Sequence, residues 1–220
     1  MPNTQTLRAL MVEEIRDLYD AERQLTKALP KMAKGATSDD LRGVIEGHLA
    51  ETEEHVKRLE QVFELLDERV RGKHCPGIAG IIEEGSNLLQ EDFNGAVRDA
   101  GIIAGAQRAE HYEIGAYGAV IAWAKLLGEE EIATLLHDTL EEEKAADQKL
   151  SELAESSINA EAASEAGDED ESDEDEELAA EESSADESVG SGRSARASGK
   201  SASPSGSRNR SSHSSSSRRR

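Results

Sequence analysis

The sequence predicts an all-α fold, with four long helices packed as a bundle over residues 1–155 and a disordered tail over 156–220. Three observations predict this. Apolar residues recur at helical spacing through the first segment. No alternating run of Val, Ile and Thr in that segment indicates a strand. The second segment has no aromatic residue and few large aliphatic ones, so it cannot bury enough apolar surface to offset chain entropy.

The first two helices are predicted at about 7–34 and 38–71. Each has a stripe of aliphatic side chains at steps of three and four residues, which is typical of a helix with one buried face. Gly35 and the Thr37–Ser38 pair interrupt the pattern between them. Because the link is short, the two helices are expected to pack as an antiparallel hairpin.

A second hairpin is predicted from helices at about 93–127 and 129–155, separated by Gly128. The segment between the hairpins is long enough to cross the bundle and includes a short predicted helix at about 77–90. Two hairpins joined by one long crossover is the ferritin-like connectivity. The sequence therefore predicts a ferritin-like four-helix bundle with a short crossover helix.

The composition is strongly acidic, with 47 Asp and Glu against 25 Lys and Arg and a formal net charge of −22. The single cysteine, Cys75, excludes an internal disulfide and suits a reducing compartment. The sequence lacks a signal-peptide pattern and a long uncharged apolar run, so a cytoplasmic protein with no membrane partner is expected. The tail is acidic at about 161–187 and then rich in Ser and Arg, but the overall negative charge argues against nucleic-acid binding.

Carboxylates interrupt the apolar stripes of two helices. Glu110 and Glu113 are three residues apart, and Tyr117 follows on the same helix face four residues later. In the first helix, Glu22 comes four residues after Leu18, inside the apolar stripe. These glutamates are therefore predicted to point into the bundle.

The other two long helices carry similar groups. His48, Glu51 and His55 follow one line of the second helix, at steps of three and four residues. In the last helix, Glu143 and Asp147 are four residues apart within the apolar stripe. Each long helix thus offers at least one inward carboxylate.

A bundle core cannot hold several uncompensated negative charges, and a pair of cations would neutralise them. Carboxylates with one imidazole suit iron or manganese better than zinc. Di-iron bundles typically take one Glu from each of two helices and Glu-x-x-His from each of the others, a pattern matched here only in part. The predicted metal ligands are Glu22, Glu51, His55, Glu110, Glu113, Glu143 and Asp147. Which of His48, Glu54 and His55 binds metal stays open.

Four segments in order carry a family resemblance: LYDAERQL, HLAETEEHVKRLEQV, AQRAEHYEIGAYG and LEEEKAADQKL. The chain resembles the YciE/YciF family of small ferritin-like proteins over residues 5–155. The resemblance implies a di-metal bundle, ferroxidase-like chemistry and a role in stress responses. It transfers most directly to Glu22, Glu51, Glu110, Glu113 and Glu143.

Two function classes follow. The first is a ferroxidase-like oxidoreductase that holds two iron ions, with manganese as the other candidate, and whose partners are metal ions and a small oxidant such as oxygen or peroxide. The second is a non-catalytic stress or interaction protein that dimerises through the bundle. A homodimer is expected in either case. No zinc site is expected at His74 and Cys75, and Glu141 and Glu142 are expected to face solvent.

Overall fold

The computed structural model describes residues 6–93 and 95–164. The described residues form helices and loops and include no β-strand. The helices are α1 (Leu7–Gly35), α2 (Asp39–Leu65), α3 (Pro76–Leu88), α4 (Gly95–Leu127) and α5 (Glu130–Leu153), followed by a π-helical turn at Ala154–Ile158. The all-α prediction is confirmed, whereas most of the predicted disordered tail lies outside the described residues.

The helix ends follow from local sequence. The side chains of Thr6 and Ser38 cap α1 and α2 by accepting hydrogen bonds from backbone N–H groups three residues later. Between α4 and α5, Gly128 adopts a φ of 77°, a left-handed conformation that favours glycine. Both hairpins therefore turn where the sequence predicts a break.

The helices pack as two antiparallel hairpins, α1 with α2 and α4 with α5. The hairpins meet where α2 contacts α5 and where α1 contacts α4. The crossover helix α3 lies on the outside of α1 and α4. This is the predicted ferritin-like arrangement. No helix in the described ranges is both long and apolar enough to cross a membrane.

The bundle core consists of two apolar clusters. One, around Leu18, Phe63 and Leu136, contains the beginning of α1 and the end of α2. The other, around Leu25 and Ile103, contains the rest of α1, the beginning of α2 and the inner face of α3. Along each long helix, buried polar side chains lie between the residues of the two clusters. The fold thus places a polar layer across the middle of an apolar bundle.

Two predicted boundaries differ from the structure. Helix α2 ends at Leu65 rather than near residue 71, because Asp67 adopts a φ of 54° and turns the chain into an extended crossover. After α5, helical structure continues past residue 155 to residue 164. Ile158 packs there in the second apolar cluster with 2% of its surface exposed. The predicted domain boundary at 155 therefore falls inside this helical segment.

Asp99 of α4 joins the two hairpins at one end of the bundle. Its carboxylate accepts hydrogen bonds from the backbone N–H groups of Thr37 and Ser38 at 2.8 and 2.7 Å, and from the Thr37 hydroxyl at 2.6 Å. Only 1% of Asp99 is exposed. The α1–α2 turn is therefore held by a charged group from the opposite hairpin.

Candidate metal centre

The polar layer contains two groups of three side chains whose ligand atoms lie close enough to hold a metal ion. Glu22, His55 and Glu143 form the first triad, and His48, Glu110 and Glu143 form the second. Within each triad, the ligand atoms lie within 4.8 Å of one another. Glu143 belongs to both triads, so its two oxygens can face two adjacent positions.

All four long helices contribute to these triads. Glu22 comes from α1, His48 and His55 from α2, Glu110 from α4 and Glu143 from α5. Each of the five side chains is buried, and the most exposed, His48, has only 7% of its surface accessible. The spacing of seven residues between the two histidines places them two turns apart on the same face of α2.

In the first triad, Nδ1 of His55 lies 2.9 Å from Oε1 of Glu143 and 3.5 Å from Oε1 of Glu22. In the second, Nε2 of His48 lies 3.3 Å from Oε1 of Glu110 and 3.7 Å from Oε2 of Glu143. Different oxygens of Glu143 thus face the two histidines. This is the placement that a carboxylate bridging two metal ions requires.

The inward-facing atoms fit a metal better than they fit one another. Although His55 Nδ1 and Glu143 Oε1 are close, their orientation is not that of a hydrogen bond, and both lack a hydrogen-bond partner. Buried oxygens without a hydrogen-bond partner also occur on Glu22, Glu51, Glu110 and Glu113. Buried polar atoms are rarely left unpaired, and so many in one place indicate a shared ligand. Their nitrogen and carboxylate-oxygen chemistry suits iron or manganese.

Outer contacts orient the first triad. The second ring nitrogen of His55, Nε2, lies 2.8 Å from Oε2 of Glu142, and Arg58 donates to both oxygens of Glu142 at 2.8 and 3.2 Å. The Tyr117 hydroxyl donates to Oε1 of Glu22 at 2.5 Å. Such contacts hold ligands in position in metal sites. Glu142 is therefore an outer partner of His55 rather than the solvated residue that the sequence suggested.

The second triad has a longer outer contact, in which neither His48 Nδ1 nor Glu51 Oε2 has a hydrogen-bond partner. Nδ1 of His48 lies 3.5 Å from Oε2 of Glu51, and Lys149 lies 3.4 Å from the other oxygen of Glu51. The Glu51 side chain is about one-third exposed. Each histidine thus turns one nitrogen into the triads and the other towards a glutamate at the edge. The structure places the predicted ligand Glu51 on the outer side of His48.

The remaining predicted ligands occupy different positions. Glu113 is fully buried, and neither of its oxygens has a hydrogen-bond partner, but it belongs to neither triad. Asp147 lies at the edge of the bundle, where it accepts a hydrogen bond from Gln107 at 3.0 Å and pairs with His111 at 3.3 Å. The structure therefore brings Glu113 to the buried layer and leaves Asp147 outside it.

The buried groups change one another's ionisation. Burial raises the pKa of Glu113 well above its usual range, and the carboxylates of Glu22 and Glu143 raise it further. Burial and Glu143 raise the pKa of Glu110 in the same way. Burial alone would lower the pKa of His55, but the contacts with Glu143 and Glu22 outweigh it and raise that pKa to about 10. Without metal, protons on these groups would compensate the clustered negative charge.

Tyr117 both packs in the core and contacts a predicted metal ligand. Its ring is fully buried in the first apolar cluster, and its hydroxyl contacts Glu22. The Tyr19 hydroxyl, by contrast, donates to Glu60 at 2.9 Å, away from both triads. Cys75 contacts the Tyr112 hydroxyl at 3.1 Å and forms no metal-ligand group with His74 among the described residues.

A cavity of about 430 Å³ leads to the second triad. It lies between α1, α3 and α4, and both His48 and Glu110 line it. Most of the other lining side chains are aliphatic. The sequence did not predict this cavity, because its wall includes α3, whose position no helix pattern specifies.

Comparison with known proteins places this chain in a family. The family described as a domain of unknown function, DUF892, matches residues 6–163. YciF of Escherichia coli K12 is 38% identical over 165 residues, which cover 74% of this chain and 99% of YciF.

Solved structures show the same relationship. The crystal structure of YciF, named there as an E. coli stress protein, covers 70% of this chain and 98% of its own, with a TM-score of 0.68. YcfI of Rhodopseudomonas palustris, described as a candidate structural protein, is 45% identical and covers 68% of this chain and 96% of its own, with a TM-score of 0.67. A Xanthomonas campestris protein at 22% identity and a TM-score of 0.58 shares the fold. The chain therefore belongs to the DUF892 family, which confirms its resemblance to the YciE/YciF proteins.

Proposed function

We propose that the protein is a di-metal carboxylate protein that binds two iron ions, or two manganese ions, and oxidises Fe(II) with oxygen or peroxide. One observation carries this proposal: Glu143 is common to two buried triads and directs a different oxygen into each. A single metal would need only one triad. A shared carboxylate between two sites suits a metal pair.

When bound, the metal pair would supply the electrons that reduce the oxidant. Glu22 and His55 would bind one ion, His48 and Glu110 the other, and Glu143 both. Glu113 is buried beside them and would add a further carboxylate. The protein scaffold would fix the ligand geometry and exclude bulk water, because apolar clusters enclose the layer on both sides.

Residues that contact the ligands from outside the triads would hold the ligand side chains in the orientation that metal binding requires. Arg58 holds Glu142, Glu142 contacts His55, and Tyr117 holds Glu22. These contacts restrict ring and carboxylate rotation before a metal arrives. A stress-response role, suggested by the name of E. coli YciF, is consistent with a protein that consumes both Fe(II) and an oxidant.

The direct test is anaerobic Fe(II) titration of the metal-stripped chain, followed by exposure to oxygen or peroxide and measurement of the Fe(III) formed. We expect about two ions per chain and oxidation faster than that of free Fe(II). Glu143→Gln should reduce both strongly, because it removes a ligand from each triad. The matched control is Glu141→Gln, an exposed residue two positions away whose partner is Lys144. Equal iron binding by the Glu143 and Glu141 variants would disprove the site.

A specific surface feature favours the second candidate, a protein that acts by self-association. Leu10, Leu65 and Leu126 are exposed, and they lie near the start of α1 and the ends of α2 and α4, which meet at one end of the bundle. Exposed apolar side chains of this kind suit contact with a second copy. Sedimentation analysis of Leu126→Glu against wild type would test it. A monomer in both would exclude this role, whatever the iron measurements show.

A further inference from the structure

The cavity beside the second triad combines an apolar wall with positive charge at its opening. Its lining includes Leu25, Ala28 and Leu29 of α1 together with Ile81 and Ile82 of α3. Lys27 and Lys31 also line it, and both residues are exposed, so they lie where the cavity meets solvent. The inner end is marked by the buried residues His48 and Glu110.

The two lysines are available to a ligand. Neither Lys27 nor Lys31 forms an ion pair within the described ranges 6–93 and 95–164, although the chain as a whole has a net charge of −22. They are four residues apart, so they lie on one face of α1. Two unpaired cations beside an apolar cavity complement a molecule with an anionic end and an apolar body.

Glycine keeps the cavity open. Gly105 of α4 lines it and is buried, yet a Cβ atom built there would meet no other atom within 4 Å. A side chain at this position would therefore project into the cavity rather than into packed protein. By contrast, a Cβ on Gly101, one turn earlier, would lie 2.7 Å from Leu88 of α3. The open space beside Gly105 thus contrasts with the packed turn at Gly101.

We propose that this cavity binds a free aliphatic monocarboxylic acid of medium chain length. The carboxylate pairs with Lys27 and Lys31 at the opening, and the alkyl chain lies along α1 with its end towards His48 and Glu110. The cavity follows α1 from Gln24 to Met32, which corresponds to about 12 Å of helix. Both lysines lie within this span, and the cavity volume of about 430 Å³ has room for an alkyl chain and exceeds what acetate would fill.

This ligand site is separate from the proposed metal function, because none of the features that form it requires a bound ion. If the metal proposal also holds, the end of the alkyl chain would lie beside the second metal position. The acid would then be a candidate substrate or a regulator of access to that position.

The test is isothermal titration calorimetry of decanoate into the metal-stripped full chain, with acetate, decanol and decylamine as comparison ligands. We expect decanoate to bind and acetate not to bind. Each methylene removed from the acid should weaken binding about threefold to fourfold, since each buried methylene contributes a roughly constant free energy. Decanol and decylamine should bind at least about tenfold more weakly, because neither pairs with the lysines.

Two variants locate the site. Gly105→Leu should abolish decanoate binding by filling the cavity, whereas Gly115→Leu, an exposed glycine of the same helix with open space around it, should leave binding unchanged. The double variant Lys27→Glu/Lys31→Glu should weaken binding about tenfold or more, whereas Lys125→Glu should not. Circular dichroism would establish that each variant is folded, and iron binding by Gly105→Leu would be measured separately. No decanoate binding by wild type, equal binding of decanoate and decylamine, or full binding by folded Gly105→Leu would each overturn the proposal.

Discussion

Glu143 is the side chain on which most of the buried layer depends. Both of its oxygens lie within ion-pair distance of a histidine, yet neither has a hydrogen-bond partner. Burial disfavours its ionisation, but His55 and His48 outweigh that effect and hold its pKa below the usual value. Glu143 is therefore a carboxylate at neutral pH even without metal, which leaves it ready to bind cations.

A Tyr117 variant would show how strongly a hydrogen bond to the ligand Glu22 affects metal affinity. Tyr117→Phe removes only the hydroxyl that donates to Glu22 and leaves the buried ring in place. We expect metal affinity to fall about tenfold to 100-fold, because an unrestrained Glu22 must be ordered on binding, while the stoichiometry stays the same. Competition with a chelator of known affinity would measure this. The control is Tyr19→Phe, which loses a contact with Glu60 outside the triads. Equal affinities in the two variants would show that the Tyr117 hydroxyl plays no orienting role.

The sequence predicted the inward glutamates better than it distinguished among the residues of α2. Glu22, Glu110, Glu113 and Glu143 interrupt apolar stripes, so helical periodicity alone placed them in the buried layer, where the structure has them. His48, Glu51 and His55 share one side of α2, and the rotation of that helix against α5 decides which of them points inward. That rotation depends on packing between distant segments, which periodicity does not contain. Arg58 lies three residues after His55 on the same face of α2. A cation at that position could have predicted an acidic partner there, which the structure shows to be Glu142.

At the scale of helices, the segment over residues 154–164 shows where tertiary packing overrides composition. The segment after residue 155 is polar overall, so the sequence favoured disorder there. A single side chain, Ile158, packs into the second apolar cluster and is buried with Ala154. The π-helical turn over Ala154–Ile158 changes the helical phase next to these residues. Composition averaged over a segment cannot detect one anchoring residue.

The anchoring role of Ile158 can be measured directly. Ile158→Ala in the full chain should lower the free energy of unfolding by about 2–4 kcal/mol, because it removes buried apolar surface and leaves a cavity. Urea denaturation of metal-free protein would measure it, with Glu155→Ala, an exposed residue of the same turn, as the control. A chain that ends at residue 155 should show a similar loss relative to one that ends at residue 164. Equal stability of the two truncated chains would show that residues 156–164 contribute nothing to the stability of the bundle.

The number of helices and the order in which they connect could be predicted from the sequence. The four long helices, the short links at Gly35 and Gly128 and the crossover helix follow from spacing and turn residues. The Asp99 contact with the α1–α2 turn was not predictable, because an aspartate early in a helix is ordinarily attributed to the helix dipole. Its actual partners are 61 and 62 residues away in sequence.

For the molecule as a whole, metal binding and stability should be linked. Clustered buried carboxylates disfavour the native state without metal, and a cation that binds only the native state stabilises it by mass action. We expect the metal-stripped chain to melt at a lower temperature than the same chain with excess Mn²⁺. The gain should be about 2.7 kcal/mol for each ion bound when free Mn²⁺ is about 100 times the dissociation constant of that ion. Differential scanning calorimetry would measure it, with Glu143→Gln as the control that should gain little. Identical melting curves would contradict a buried di-metal site.

The net charge of −22 also predicts a dependence on salt. Like charges repel across the acidic surface at about 0.01 M salt, where the Debye length is about 30 Å, and much less at 1 M, where it is about 3 Å. The melting temperature of the metal-stripped chain should therefore rise from dilute buffer to molar KCl. Circular dichroism would follow it, with sucrose of equal osmolality as a control for non-ionic stabilisation. A constant or falling melting temperature would show that the negative charges are too well solvated to oppose folding.

The crossover helix α3 has one fully buried residue, Ile78, whereas each long helix has eight or more buried residues. It rests on the bundle through close contacts of Leu88 with Gly101 and of Leu89 with Gly35. Local opening therefore costs much less free energy for α3 than for the bundle, and its amide protons should exchange with deuterium well before those of the inner faces of α1 and α4. Because α3 forms one wall of the cavity, the rate at which molecules enter would be set by the breathing of a thirteen-residue helix. Substitutions at Leu88 or Leu89 could then change how fast the cavity fills while the ligands of the buried layer stay where they are.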